Sequence, residues 1–311
     1  MKRHTIIIGA YTFALLLATT SAQTPDSLKP RAQNPSPMLE STRRHERIVS
    51  REHKGLQFEL TQLFPKPIEI FIPHKSQKST TLDLVLHFHG AGFITREAAT
   101  KYRGALVAVT INLGAGSSVY GHPFEDSTRF TALLDTLRGH IAQRIQHEVR
   151  WRKIILSGFS AGYGAVRKII STENNFARVD AILLLDGLHA SYIPERKVLA
   201  EGGKIDSTGL AAFTRFAHAA AQPKSAKRFL ITHSEIFPGT FVSTTEASDF
   251  IMQALGMKRE AVLKWGTLGM QQLSLARRGG FEVQGFAGNT APDHVDHLHA
   301  LGDFLNRVSA K

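Results

Sequence analysis

Lys153-Ile154-Ile155-Leu156-Ser157-Gly158-Phe159-Ser160-Ala161-Gly162 decides the fold of this 311-residue chain. Lys153–Ser157 reads as a short buried strand, with three apolar residues in a row. Gly158-Phe159-Ser160-Ala161-Gly162 is a G-x-S-x-G pentapeptide. After it, Ala161, Ala165, Val166, Ile169 and Ile170 recur at helical spacing. A serine on a sharp strand-to-helix turn is pushed out above a sheet. The flanking glycines let backbone segments approach more closely than side chains allow. The pentapeptide alone is a common glycine-rich turn; strand, turn and helix in this order predict a reactive Ser160.

The pattern extends in both directions. Phe58–Leu63 alternates, and Ile68–Ile72 follows Pro65 and Pro67, which suggests a two-stranded antiparallel start. Leu82–Phe88 is a strand ending in His89-Gly90-Ala91-Gly92, and Ala105–Ile111 is apolar enough to be buried on both faces. Phe124 to about Glu148 reads as a long helix, with Glu125, Asp126 and Ser127 suited to its first turn. Ala181–Leu185 is an apolar strand closed by Asp186, and Phe229–Thr232 is another. Between them, 188–227 holds a helix around Leu210–Ala221, enough for a small lid or cap. Helical segments occupy 245–256, a last strand runs from Phe281 to Phe286, and a helix from about Pro292 closes the chain. Strands alternating with helices predict a mostly parallel sheet covered on both faces.

Composition sets the limits. Lys2, Arg3 and His4 precede an apolar run, Thr5–Leu17, and Thr20-Ser21-Ala22 offers a cleavage site, so residues 1–22 read as a signal peptide. The run is short for a membrane span, which takes about 20 residues. Export, to a periplasm or beyond the cell, is therefore expected, with no stable span after processing. Residues 23–50, rich in Pro, Ser, Gln and Arg, read as an arm or linker, and 51–311 as one domain. The chain has no cysteine, so neither disulfides nor a lipobox enter the argument. The net charge is +12, but the basic residues are scattered, with no long basic tract or aromatic-interleaved motif. Nucleic acid is not the expected partner.

A serine hydroxyl needs a base, and the base needs an orienting carboxylate. The tail offers Asp293-His294-Val295-Asp296-His297-Leu298-His299. At about 100° per residue, His294 falls on the face of Leu298, Leu301, Leu305 and Val308, His297 at its edge, and His299 toward solvent. His294 is therefore the candidate base and His297 the second choice. Asp186, at the carboxyl end of a strand, is the candidate acid; Glu235, after the next strand in Thr232-His233-Ser234-Glu235, is its competitor. His189 and His233 lie near the same edge without an assigned role. Oxyanion donors are expected from the N–H of Ala161 and from the loop after an early strand, at Ala91 and Gly92.

His89-Gly90-Ala91-Gly92, the serine elbow, Asp186 and His294, in this order, resemble the α/β-hydrolase fold family over about residues 56–309. The resemblance implies a mostly parallel sheet of about eight strands. It implies a Ser-His-Asp triad that cleaves an ester or related acyl bond through an acyl-enzyme, without cofactor or metal. A small-molecule or carbohydrate ester is the expected substrate. Asp186 comes one strand earlier than the acid of the commonest family pattern. Two rival readings remain at this level. One is a metal-dependent hydrolase that uses the C-terminal His/Asp cluster with His87-Phe88-His89. The other is a non-catalytic binding protein on the same scaffold.

Overall fold

The computed structural model describes residues 45–310. The signal peptide and most of the arm read from the sequence lie outside the described residues. A ten-stranded sheet in the order β1-β2-β4-β3-β5-β6-β9-β12-β11-β10 forms the centre. Its strands are β1 (Gly55–Leu60), β2 (Ile68–Pro73), β3 (Thr81–Phe88), β4 (Leu106–Ile111), β5 (Arg150–Phe159) and β6 (Ala181–Leu185). They continue with β9 (Arg228–His233), β10 (Glu260–Trp265), β11 (Gln271–Arg278) and β12 (Phe281–Phe286), while β7 (Tyr192–Ile193) and β8 (Lys204–Ile205) form a separate ribbon. From β4 to β12 all neighbours are parallel. β1 and β2 at one side and β11 and β10 at the other are antiparallel. The fold is the expected mixed α/β architecture, a mostly parallel sheet covered by helices on both faces, with two more strands than the resemblance implied.

The two additional strands are β10 and β11. β10 is exposed along most of its length, Leu263 and Trp265 included, so its residues do not alternate between a core and a wet face. The central strands are legible because their side chains are buried on both faces, and apolar layers cover each face. One layer draws on α3 (Arg129–Ile145), α4 (Tyr163–Ile169) and α6 (Ala211–Ala221); the other draws on α1 (Gly92–Lys101) and the closing helices. The remaining short helices are α2 (Ser117–Gly121) and α5 (Glu173–Arg178). α6 lies in the segment 188–227; it buries Phe213, Phe216 and Ala220 in the core, and the β7–β8 ribbon is what stands outside the sheet.

Two helix boundaries differ from expectation for local reasons. α3 starts at Arg129, because the Asp126 carboxylate accepts from the Thr128 N–H at 2.9 Å and folds 126–128 into a turn. After α7 (Thr244–Ala254), the single predicted C-terminal helix divides into α8 (Ala291–His299) and α9 (Leu301–Ser309) at Ala300, whose ψ is 3°. His299, predicted to face solvent, is half-buried and accepts the Ile48 N–H at 3.1 Å. It is covered by the last residues of the segment read as an arm.

Residues 45–53, running from the end of that segment into the domain, hold two helices. His45 Nδ1 lies 2.6 Å from Asp296 Oδ2, and Arg47 Nε donates to Asp296 Oδ1 at 3.0 Å. Arg51 grips the buried Glu97 of α1 bidentately at 2.9 and 2.7 Å, joined by His53 at 2.9 Å and Lys101 at 3.0 Å. The Arg51 hydrogen bonds, opposed by burial and reinforced by Lys101, lower the Glu97 carboxyl to about 2. A depressed folded-state value means stability that is present above the ordinary carboxylate range and lost as pH falls toward 2. Glu97→Gln should lower stability at neutral pH by about 1–2 kcal/mol and flatten the loss between about pH 4.5 and 2. Urea midpoints at pH 7 and pH 3 measure both effects. Equal wild-type and variant midpoints at both pH values refute the bridge's contribution.

Candidate active site

Three adjacent parallel strands, β3, β5 and β6, each end in a non-glycine residue held in the left-handed region: His89 (φ 70°), Ser160 (φ 46°) and Asp186 (φ 42°). Such a backbone costs about 1–3 kcal/mol per residue and persists only where the surroundings enforce it. The sheet register enforces it here, pairing Phe88 with Gly158 and Phe159 with Leu185. The residues after those pairs are therefore set side by side along the carboxyl edge.

The elbow closes because two glycines leave room. A Cβ on Gly162 would sit 2.1 Å from the Phe88 carbonyl oxygen. A Cβ on Gly187 would sit 2.3 Å from the Ser160 oxygen and 2.4 Å from its nitrogen. Ser160 opens a single tight turn, Ser160–Gly162, that runs into α4.

His294 reaches this edge from the first turn of α8. A reciprocal capping box fixes that turn: Asp293 N–H donates to Thr290 Oγ1 at 3.3 Å, and Asp293 Oδ2 accepts from Thr290 N at 3.0 Å. Nδ1 of His294 then lies 2.8 Å from Asp186 Oδ2, while a quarter of the side chain remains exposed. The ring rests on Phe159, 4.5 Å between centroids, and Phe159 stacks on His89 at 5.7 Å. Asp186 is 4% exposed. Burial favours its neutral form, but the His294 hydrogen bond, the charges of His297 and His294, and the Ser234 hydroxyl outweigh burial. They hold the carboxyl well below its usual range. The carboxylate is therefore ionised and fixes a ring whose Nε2 is left for a proton.

The other candidates sit elsewhere. Glu235 accepts from the Gly288 N–H at 3.1 Å. His297 is buried, with Nδ1 2.8 Å from Thr232 Oγ1 and its ring edge-on to Phe286. Ala91 caps α1 and Gly92 opens it, so their N–H groups belong to a helix start, where amides have no intrahelical acceptor. Ala161 lies in the elbow turn. His189 Nδ1 donates to the Val242 carbonyl at 2.9 Å, and the ring is set edge-on between Tyr163 and Phe241. Sequence reasoning missed Ser234, whose N–H and hydroxyl both reach Asp186, at 3.0 and 2.6 Å. Its only signal was its position beside Glu235.

The histidines of the metal reading are dispersed. His87 Nδ1 meets Ser157 Oγ at 2.9 Å, and burial, with the charge of His89, pushes its ring down to about 3. His89 Nδ1 meets Tyr120 Oη at 2.8 Å. His45, Asp293 and Asp296 do bring polar atoms within 4.8 Å of one another. Each carboxylate there is already engaged, Asp296 by Arg47 and Asp293 by the Thr290 cap.

No family model matches the chain, and no curated protein does. Among solved structures it is similar to an S-formylglutathione hydrolase from Agrobacterium tumefaciens. The two share 14% identity over 85% of this chain and 98% of that one, with a TM-score of 0.48. A fungal esterase from Rhizomucor miehei is 13% identical over 83% of each chain, TM-score 0.45. Est1E from Butyrivibrio proteoclasticus is 11% identical over 83% of this chain and all of that one, TM-score 0.40. Among the described residues no helix is long and apolar enough to cross a membrane.

The close approach of Gly187 to Ser160 predicts an asymmetry between glycines. Gly187→Ala should destabilise by about 1–3 kcal/mol through overpacking. Gly139→Ala, in α3 with nothing near its Cβ position, should stabilise by about 0.5–1 kcal/mol. Urea unfolding of both variants measures the contrast; a neutral Gly187→Ala contradicts the elbow geometry.

Proposed function

We propose that this chain is an exported serine hydrolase that cleaves a carboxylic ester, or a related acyl bond, through an acyl-enzyme. The observation that carries the reading is the 2.8 Å contact between His294 Nδ1 and Asp186 beside the strained Ser160. With Nδ1–H donated to Asp186, His294 Nε2 is the free base. It takes the Ser160 hydroxyl proton as Oγ attacks the ester carbonyl. The N–H groups of Ala161, Ala91 and Gly92 receive the developing oxyanion. The tetrahedral adduct expels the alcohol, which leaves with the proton from His294. Water then repeats the cycle on the acyl-enzyme, releasing the carboxylic acid and restoring Ser160.

Asp186 holds the imidazole in this tautomer and stabilises the imidazolium as it forms. The substrate class is a small-molecule or carbohydrate ester. The leader read over residues 1–22 makes export part of the same proposal.

The test is chemical. Wild-type protein should label with a fluorophosphonate probe and hydrolyse p-nitrophenyl acetate, and Ser160→Ala should do neither. Asp186→Asn should lose about 10³–10⁴ in kcat, whereas Glu235→Gln should stay within a few-fold of wild type. A wild type that does not label, or a Ser160→Ala that labels equally, sinks the serine mechanism.

A further inference from the structure

Asp186 is held at both oxygens by one residue from the neighbouring strand. Ser234 follows β9, is 2% exposed, and donates its N–H to Oδ1 at 3.0 Å and its hydroxyl to Oδ2 at 2.6 Å. Oδ2 is the atom that also meets His294. The Ser234 hydroxyl and the imidazole therefore share one carboxylate oxygen.

Ser234 is itself held from behind. Its carbonyl meets His233 Nδ1 at 2.8 Å and accepts from Thr245 Oγ1 at 3.1 Å. Nε2 of His233 lies 2.5 Å from Nη1 of Arg259. A guanidinium only donates, so Nε2 accepts and the ring proton stands on Nδ1, aimed at the Ser234 carbonyl. Burial, then the Arg259 charge, keep His233 neutral, lowered to about 3. Arg259 Nε is anchored on Asp249 Oδ1 at 2.6 Å. The guanidinium lines a cavity of about 350 Å³ between the loop after β9, the start of α7 and strands β11 and β12. The run Asp249–Arg259–His233–Ser234–Asp186–His294 thus leads from a partly exposed ion pair to the base without a gap.

Resting on the triad reading, we propose that Ser234 is a positioning residue that sets the orientation and basicity of Asp186, and that Arg259, by fixing the His233 tautomer, holds Ser234 in place. The hydroxyl draws charge from the oxygen facing His294, so removing it strengthens the carboxylate's hold on the imidazolium. The titratable groups that face Asp186 are His294 and His297 of α8, His189 after β6 and His233 of β9. Those near His233 are Arg259, Asp186, His297, Glu235 and Glu246. His89 faces His294 from the β3 loop.

The experiment is the pH profile of kcat/KM for p-nitrophenyl acetate, with Ser160→Ala and fluorophosphonate labelling run beside it. Ser234→Ala should move the acid limb up by about half a pH unit and lower kcat about 10-fold. Ser234→Thr, which keeps the hydroxyl, should restore both toward wild type. Arg259→Ala releases the His233 tautomer, so the ring proton can leave Nδ1 and the hold on the Ser234 carbonyl is lost; its acid limb should shift in the same direction as that of Ser234→Ala, by a smaller amount. If Ser234→Ala does not fold, the acid limb of Arg259→Ala decides. Variants that lose thermal stability yet keep the wild-type profile overturn the positioning role and leave the serine mechanism standing. A wild type that fails to label at Ser160 overturns both.

Discussion

The structure depends on what happens one residue past the ends of three neighbouring strands. β3, β5 and β6 run parallel and in register, and each chain turns at once through a left-handed, non-glycine residue. In a parallel sheet every strand must leave by the same edge, so three such turns side by side converge on one small volume. Each turn carries strain of about 1–3 kcal/mol. What maintains it is the buried sheet beneath: every residue of β6 is buried, as are the last six of β5. Core burial thus enforces an edge geometry that the loops alone would not adopt.

The same logic explains how much the sequence disclosed. The central strands were legible because burial on two faces leaves continuous apolar runs, and the elbow was legible because close backbone approach demands glycine at Gly158 and Gly162. β10 and β11 were not, since an exposed edge strand of Glu260, Lys264 and Trp265 presents no alternation to read. His294 and Asp186 were reachable from helical spacing and strand ends. Ser234 was not, because its role is set by a contact 48 positions away that no local pattern encodes.

The end of the segment read as a linker shows the limit of composition. His45 and Arg47 within it have no apolar period around them, yet they pair with Asp296 of α8, and Arg51 and His53, just after it, pair with Glu97 of α1. Charged pairs with half-exposed partners contribute modestly to stability. Their position matters more: Asp296 stands two residues after His294 on the same helix. The strap and the capping box therefore hold the N-terminal half of α8 together, polar atoms of His45, Asp293 and Asp296 lying within 4.8 Å of one another.

A carboxylate at the end of β6 changes what β9 must do. β6 directly adjoins β5, and the register leaves no room for a Cβ on Gly187 beside Ser160. Asp186 is consequently deep, and a deep carboxylate stays ionised only if its oxygens are satisfied. His294 serves one oxygen from above. The second oxygen, and the remaining capacity of the first, are met from the next strand, β9, by Ser234. The end of β9 supplies donors rather than a charge, and Glu235, one residue further, turns away to Gly288. Two adjacent strand ends therefore act together, since β6 supplies the charge and β9 supplies the hydrogen bonds that let the charge remain buried.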